Sequence, residues 1–94
     1  MSDAEHFLSF STAAAGEQLF IHADAAGLDT LIRSLTRLRE KLSQGISDHD
    51  HLMTETWAGN ELSRPPLAAE EQPIEHVKVW AWTPDKLREH HLKA

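Results

Sequence analysis

Asp24-Ala25-Ala26-Gly27-Leu28-Asp29-Thr30-Leu31-Ile32-Arg33-Ser34-Leu35-Thr36-Arg37-Leu38-Arg39-Glu40-Lys41-Leu42-Ser43-Gln44-Gly45 is the stretch that decides the fold. Leu28, Leu31, Ile32, Leu35, Leu38 and Leu42 recur at helical spacing and form one apolar stripe. Asp24 is a good N-cap, and Gly45 is the expected stop after a helix running to about Gln44. Arg33, Arg37 and Lys41 lie four apart on another face, a basic ridge read as solvated.

The flanking segments alternate with the period of strands. His6 to Ser11 places Leu8 and Phe10 on one face and Phe7 and Ser9 on the other. A turn at Gly16 leads to a second strand, Gln18 to Ala23, with Leu19 and Ile21 opposed to Phe20 and His22. Beyond the helix, His49 to Thr54 reads as a third strand. Trp57-Ala58-Gly59-Asn60 is turn chemistry, with Gly59 and Asn60 suited to positive φ, and Glu61-Leu62-Ser63 is a short fourth strand. Arg64 to Pro73 carries three prolines and reads as a loop. Ile74 to Trp82 is the last strand, with Val77, Val79 and Ala81 opposed to His76, Lys78, Trp80 and Trp82. Asp85 to Ala94 could form a short helix capped by Thr83, with Pro84 at its first position.

The order predicts an α+β fold: a mostly antiparallel sheet of four to five strands with one long helix packed on one face. Residues 1–94 form one domain, with 1–5 and 85–94 loosely ordered. The helix stripe is expected to bury itself on Leu8, Phe10, Leu19, Ile21, Leu52, Val77 and Val79. The opposite face would carry Phe7, Phe20, His22, His49, His51, Met53, His76, Trp80 and Trp82. A solvated sheet face normally bears Thr, Lys, Glu and Ser, so this face suggests a contact surface. Two alternatives are a second small core under the short strand and the proline loop, or a homodimer interface.

Composition narrows the function classes. A net charge of −6 argues against nucleic acid, which needs clustered Lys and Arg. With no cysteine, disulfides, thiol nucleophiles and cysteine zinc sites are excluded, and a reducing cytoplasm is consistent. The acidic N-terminus does not read as a signal peptide, and no apolar run is long enough to span a bilayer. From Asp48 to Glu75 seven acids stand against Arg64 alone. Such an acidic half either steers a basic partner or simply keeps the chain soluble.

His49-x-His51 places two imidazoles on one side of a strand, the start of a metal site. Asp50 points away from it, and only His22 or His76 could add a third ligand, so no metal and no cofactor is expected. No phosphate loop and no nucleophile elbow is present, and the expectation is no enzyme. Glu55 and Glu61 flank Trp57 without catalytic spacing and suit a recognition edge; Trp57 could equally anchor the turn to the core.

His51-Leu52-Met53-Thr54-Glu55-Thr56-Trp57-Ala58-Gly59-Asn60-Glu61-Leu62, followed by His76-Val77-Lys78-Val79-Trp80-Ala81-Trp82, resembles the immunity protein 32 family, antitoxins of bacterial polymorphic toxin systems. Ala58 stands where the family pattern leads one to expect glycine, and the tail after Trp82 is extra. The resemblance implies a protein that binds and neutralises a cognate toxin domain, with a nuclease the kind an acidic surface suits. It carries over no catalytic residue. The partner-binding residues expected are His51, Met53, Glu55, Trp57, Glu61, His76, Trp80 and Trp82. The alternative reading is a small homodimeric domain that binds a metal or small ligand through its histidines.

Overall fold

A computed structural model describes residues 6–64 and 70–91. The elements are β1 (Leu8–Ala13), β2 (Leu19–Ala23), α1 (Ala25–Ser43), β3 (Asp48–Met53), β4 (Glu71–Ile74), β5 (His76–Ala81) and α2 (Pro84–His91), with a 3₁₀ turn at Glu55–Trp57. The fold is α+β, but the strands divide into two antiparallel sheets, β2-β1-β4 and β3-β5. The single sheet of four to five strands expected from the sequence is therefore corrected to three plus two. β4 and β5 are consecutive, separated only by Glu75. Thr54 fixes that break: its N–H donates to the Glu75 carbonyl at 2.9 Å and its Oγ1 to Glu75 Oε1 at 2.8 Å.

β4 begins inside the stretch read as a proline loop and ends at Ile74, read as the first residue of the last strand. Its Pro73 sits opposite Ser11 on an edge strand, where the missing N–H costs no ladder bond. The expected fourth strand, Glu61-Leu62-Ser63, is not a strand. It is held by isolated bonds from Leu62 N–H to the Met53 carbonyl and from Ser63 N–H to the Leu8 carbonyl. A second helix, α2, begins at Pro84 as the sequence suggests, and Lys86 N–H donates to Thr83 Oγ1. Residues 1–5, 65–69 and 92–94, part of the expected loose ends and loop, lie outside the described residues.

Leu8, Phe10, Leu52 and Leu62 are the buried centre, with Ala23, Leu31, Ile74, Val77 and Val79 packed around them. Each such leucine contributes about 1.5–3 kcal/mol by leaving water. The helix meets this core in a phase different from the expected one. Gly27, Ser34 and Leu38 are buried, whereas Leu28, Ile32 and Leu35 are about half exposed. The cause is polar. Ser34 Oγ donates to Asp50 Oδ2 at 2.6 Å, and Arg37 reaches Asp48 and Asp50 at 3.4 and 3.7 Å and the His49 carbonyl at 3.3 Å. Of the ridge read as solvated, Arg37 thus ties α1 to β3. Leu19 and Ile21, expected under the helix, are about half exposed on β2.

α1 starts as the sequence predicts. Asp24 Oδ1 accepts from Gly27 N–H at 2.7 Å and from Phe7 N–H at 3.0 Å, so one carboxylate caps the helix and fixes the entry to β1.

Candidate functional site

β3 and β5 pair so that His49 faces Trp80, His51 faces Lys78 and Met53 faces His76. Alternation sends Leu52, Val77 and Val79 to the core and these six side chains to the other side. The rings there form one continuous ribbon. Trp57 lies 5.1 Å from His76, His76 5.0 Å from His51, and His51 4.9 Å from His49 between ring centres. His49 then meets Trp80 at 4.6 Å, Trp80 stacks on Trp82 at 5.0 Å and 10°, and Trp82 reaches His90 of α2 at 4.7 Å. The Lys78 ammonium lies 4.4 Å above Trp80. The indoles of Trp57 and Trp80 remain 54% and 47% exposed, a large apolar area held in fixed orientation.

Inside the ribbon, His51 Nδ1 and His76 Nε2 are hydrogen-bonded at 2.8 Å. One ring donates and the other accepts, so the bond requires at least one neutral imidazole. Among the described residues no group of three or more His, Asp or Glu could hold a metal ion. The His49-x-His51 pair stays on one strand side, but His51 is committed to His76.

The turn that carries Trp57 explains the motif around it. The residue with positive φ is Ala58, at 67°, not Gly59 or Asn60 as the sequence suggested. Gly59 is needed for room: a Cβ there would lie 2.6 Å from Met53 Cβ and 2.7 Å from the Met53 carbonyl oxygen. Glu61 Oε1 accepts the Met53 N–H at 3.1 Å, and Leu62 enters the core. Glu61 therefore clamps the turn through one carboxylate oxygen. Ala58→Gly should raise stability by about 0.5–1 kcal/mol, because glycine adopts the left-handed conformation without a Cβ penalty. Thermal unfolding reads this; an unchanged or lowered midpoint would contradict the strain.

Most of the acids expected to steer a partner are engaged internally. Ser11 Oγ and His22 Nε2 both bond Glu71 Oε1, at 2.5 and 3.0 Å. These bonds, the Ser11 hydroxyl's first, hold the Glu71 carboxyl below the usual range. The carboxylate lies between serine and histidine and Ser11 is fully buried, so this trio does not activate a nucleophile. Glu75 is lowered by the Thr54 and Thr56 hydroxyls, Asp24 by the Phe7 and Gly27 N–H groups, and Asp48 by the His49 N–H and then Arg37. Carboxylates depressed in the folded state stabilise it above their unfolded pKa values, and that stabilisation is lost as pH falls through the folded ones. The melting temperature should accordingly drop steeply below about pH 4, and one that climbs there would contradict this assignment. Glu55, at the start of the 3₁₀ turn, is exposed beside Trp57 and has no side-chain partner among the described residues.

The family model of immunity protein 32 matches residues 18–79, two thirds of the chain and all of β2, α1, β3 and the turn. The chain belongs to the immunity protein 32 family. No curated protein and no solved structure matches it. The immunity protein 32 match ends within β5 at residue 79, before Trp80 and Trp82. Within the matched span, Gly59 and Glu61 do structural work around Met53, and Trp57 is the exposed member. No helix among the described residues is long and apolar enough to cross a membrane.

Proposed function

We propose that this immunity protein 32 family member binds and neutralises a cognate bacterial toxin domain through the ribbon on β3 and β5. The supporting observation is the unbroken ring series from Trp57 to His90 on the face turned away from α1. Its rings restrain one another, so little side-chain entropy is lost on binding. Trp57 and Trp80 are the anchors, in keeping with the enrichment of tryptophan at energetically dominant interface positions. His51, Met53, His76 and Trp82 hold those anchors and complete the contact, and Glu55 is the acid free to meet a cation. Glu61 acts indirectly, by keeping Trp57 in place.

The toxin surface that suits this site is apolar at its centre and basic around it, as on a nuclease. The net charge of −6 draws such a partner in. The interaction is of protein with protein in the cytoplasm and uses no cofactor or nucleic acid. The test is surface plasmon resonance of the purified protein against a toxin domain encoded beside it, at rising salt. Tight binding with an association rate that falls with ionic strength is expected. Absence of binding would defeat the reading, and a salt-independent rate would remove electrostatic steering from it.

A further inference from the structure

Ser34 and Arg37 hold α1 to β3, and the opposite flank of the helix is half exposed among the described residues. At about 100° per residue, Leu28, Ile32 and Leu35 lie on the side of α1 away from Arg37. β2 is an edge strand of the three-stranded sheet, which does not include β3. There Leu19 and Ile21 are 54% and 48% exposed, beside Leu28, Ile32 and Leu35 at 48%, 55% and 46%.

The outward backbone groups of this edge strand have no backbone partner among the described residues. Ala13 N–H bonds the Gln18 carbonyl and Asp24 N–H bonds the Phe7 carbonyl. By antiparallel alternation, Phe20 and His22 turn their N–H and C=O groups to β1, and Leu19, Ile21 and Ala23 turn theirs outward. Other edges carry the devices that prevent pairing: Asp48 and Asp50 in β3, Glu71 and Pro73 in β4, Lys78 in β5. Leu19-Phe20-Ile21-His22-Ala23 contains neither an acid nor a base other than His22, and no proline.

We propose that β2 pairs antiparallel with β2 of a second copy of this chain, Ile21 opposite the second copy's Ile21, with Leu28, Ile32 and Leu35 closing over the joint from both helices. This register is self-complementary: Leu19 meets Ala23 and the outward backbone groups of both strands are satisfied together. It sets Asp24 against Gln18 and Glu17 against Ala25, so no acid faces an acid. Two copies of an acidic chain can approach at low cost only through an uncharged surface such as this. Half exposed, the five apolar side chains present roughly 100 Å² each, so a pair would bury about 1,000 Å² before any rim or backbone is added, enough for a specific interface. The ribbon on β3 and β5 stays free, so this pairing stands or falls independently of toxin binding.

Analytical ultracentrifugation of the full chain over about 5–200 µM tests it. The expected result is reversible dimerisation of the 10.6 kDa chain with a micromolar constant. Ile21→Lys and Ile32→Glu should each weaken it at least about tenfold with the circular dichroism spectrum unchanged. Should a variant fail to fold, hydrogen exchange on the unmodified protein decides: the Leu19, Ile21 and Ala23 amides must gain protection as concentration rises. A monomer throughout, exchange at those amides independent of concentration, or a dimer that survives both substitutions would overturn the proposal. So would one abolished only by Trp80→Ala.

Discussion

Gly27→Ala should destabilise the protein by about 3 kcal/mol, lowering the melting temperature by roughly 12–24 °C in a chain of this size. The added Cβ would lie 1.7 Å from the Phe7 carbonyl oxygen and 2.6 Å from its carbon. Those are backbone atoms, and they are not free to move. The Phe7 carbonyl accepts Asp24 N–H at 3.0 Å, and the Phe7 N–H is held by the Asp24 side chain. Relieving the clash therefore means lifting the first turn of α1 from β1 or breaking the cap that joins them. Alanine's better helix propensity returns only about 1 kcal/mol. Asp29→Ala, on the exposed side of the same turn, is the control and should change little. A Gly27→Ala midpoint close to that of the unmodified protein would show that α1 does not sit so close to β1.

The second large effect is on binding. Trp80→Ala should weaken toxin affinity by about 2 kcal/mol, roughly thirtyfold, mostly through faster dissociation. The indole lies against His49 and Trp82 beneath the Lys78 ammonium, and it is still about half exposed. Its removal deletes the centre of the ribbon and frees Lys78 and His49 to wander. Val79 and Ala81, which hold β5 to the core, are untouched, so the fold should survive. Trp80→Phe should recover part of the affinity, since a ring remains in the stack. Equal affinities for the unmodified protein and Trp80→Ala would remove Trp80 from the interface.

The sequence made the strands, the long helix and its cap legible because each has a strong local signal. Asp24 caps α1, Gly45 follows its end, and His49, His51, His76 and Trp80 share a face as alternation requires. The helix phase was not legible. A leucine stripe reads as buried until a serine finds an aspartate partner, and the Ser34–Asp50 bond joins residues on different elements. β4 was hidden because Pro73 is compatible with a strand only at an edge, which is a property of the sheet. Ala58 took the left-handed conformation because Gly59 was already committed to passing close to Met53. The sequence shows Glu61 as an acid beside Trp57 but not that its Oε1 satisfies the Met53 N–H. In each case the deciding contact is nonlocal or occupies a position that a neighbour's requirement had displaced.

Neutralisation of the toxin by the ribbon on β3 and β5 can be read in living cells. The most direct measurement is bacterial survival when the toxin domain is expressed with the unmodified protein, with the double variant Trp57→Ala/Trp80→Ala, or with Ile21→Lys. Protection by the unmodified protein and by Ile21→Lys is expected, with killing in the presence of the double tryptophan variant although it accumulates as folded protein. Full protection by the double variant would contradict it.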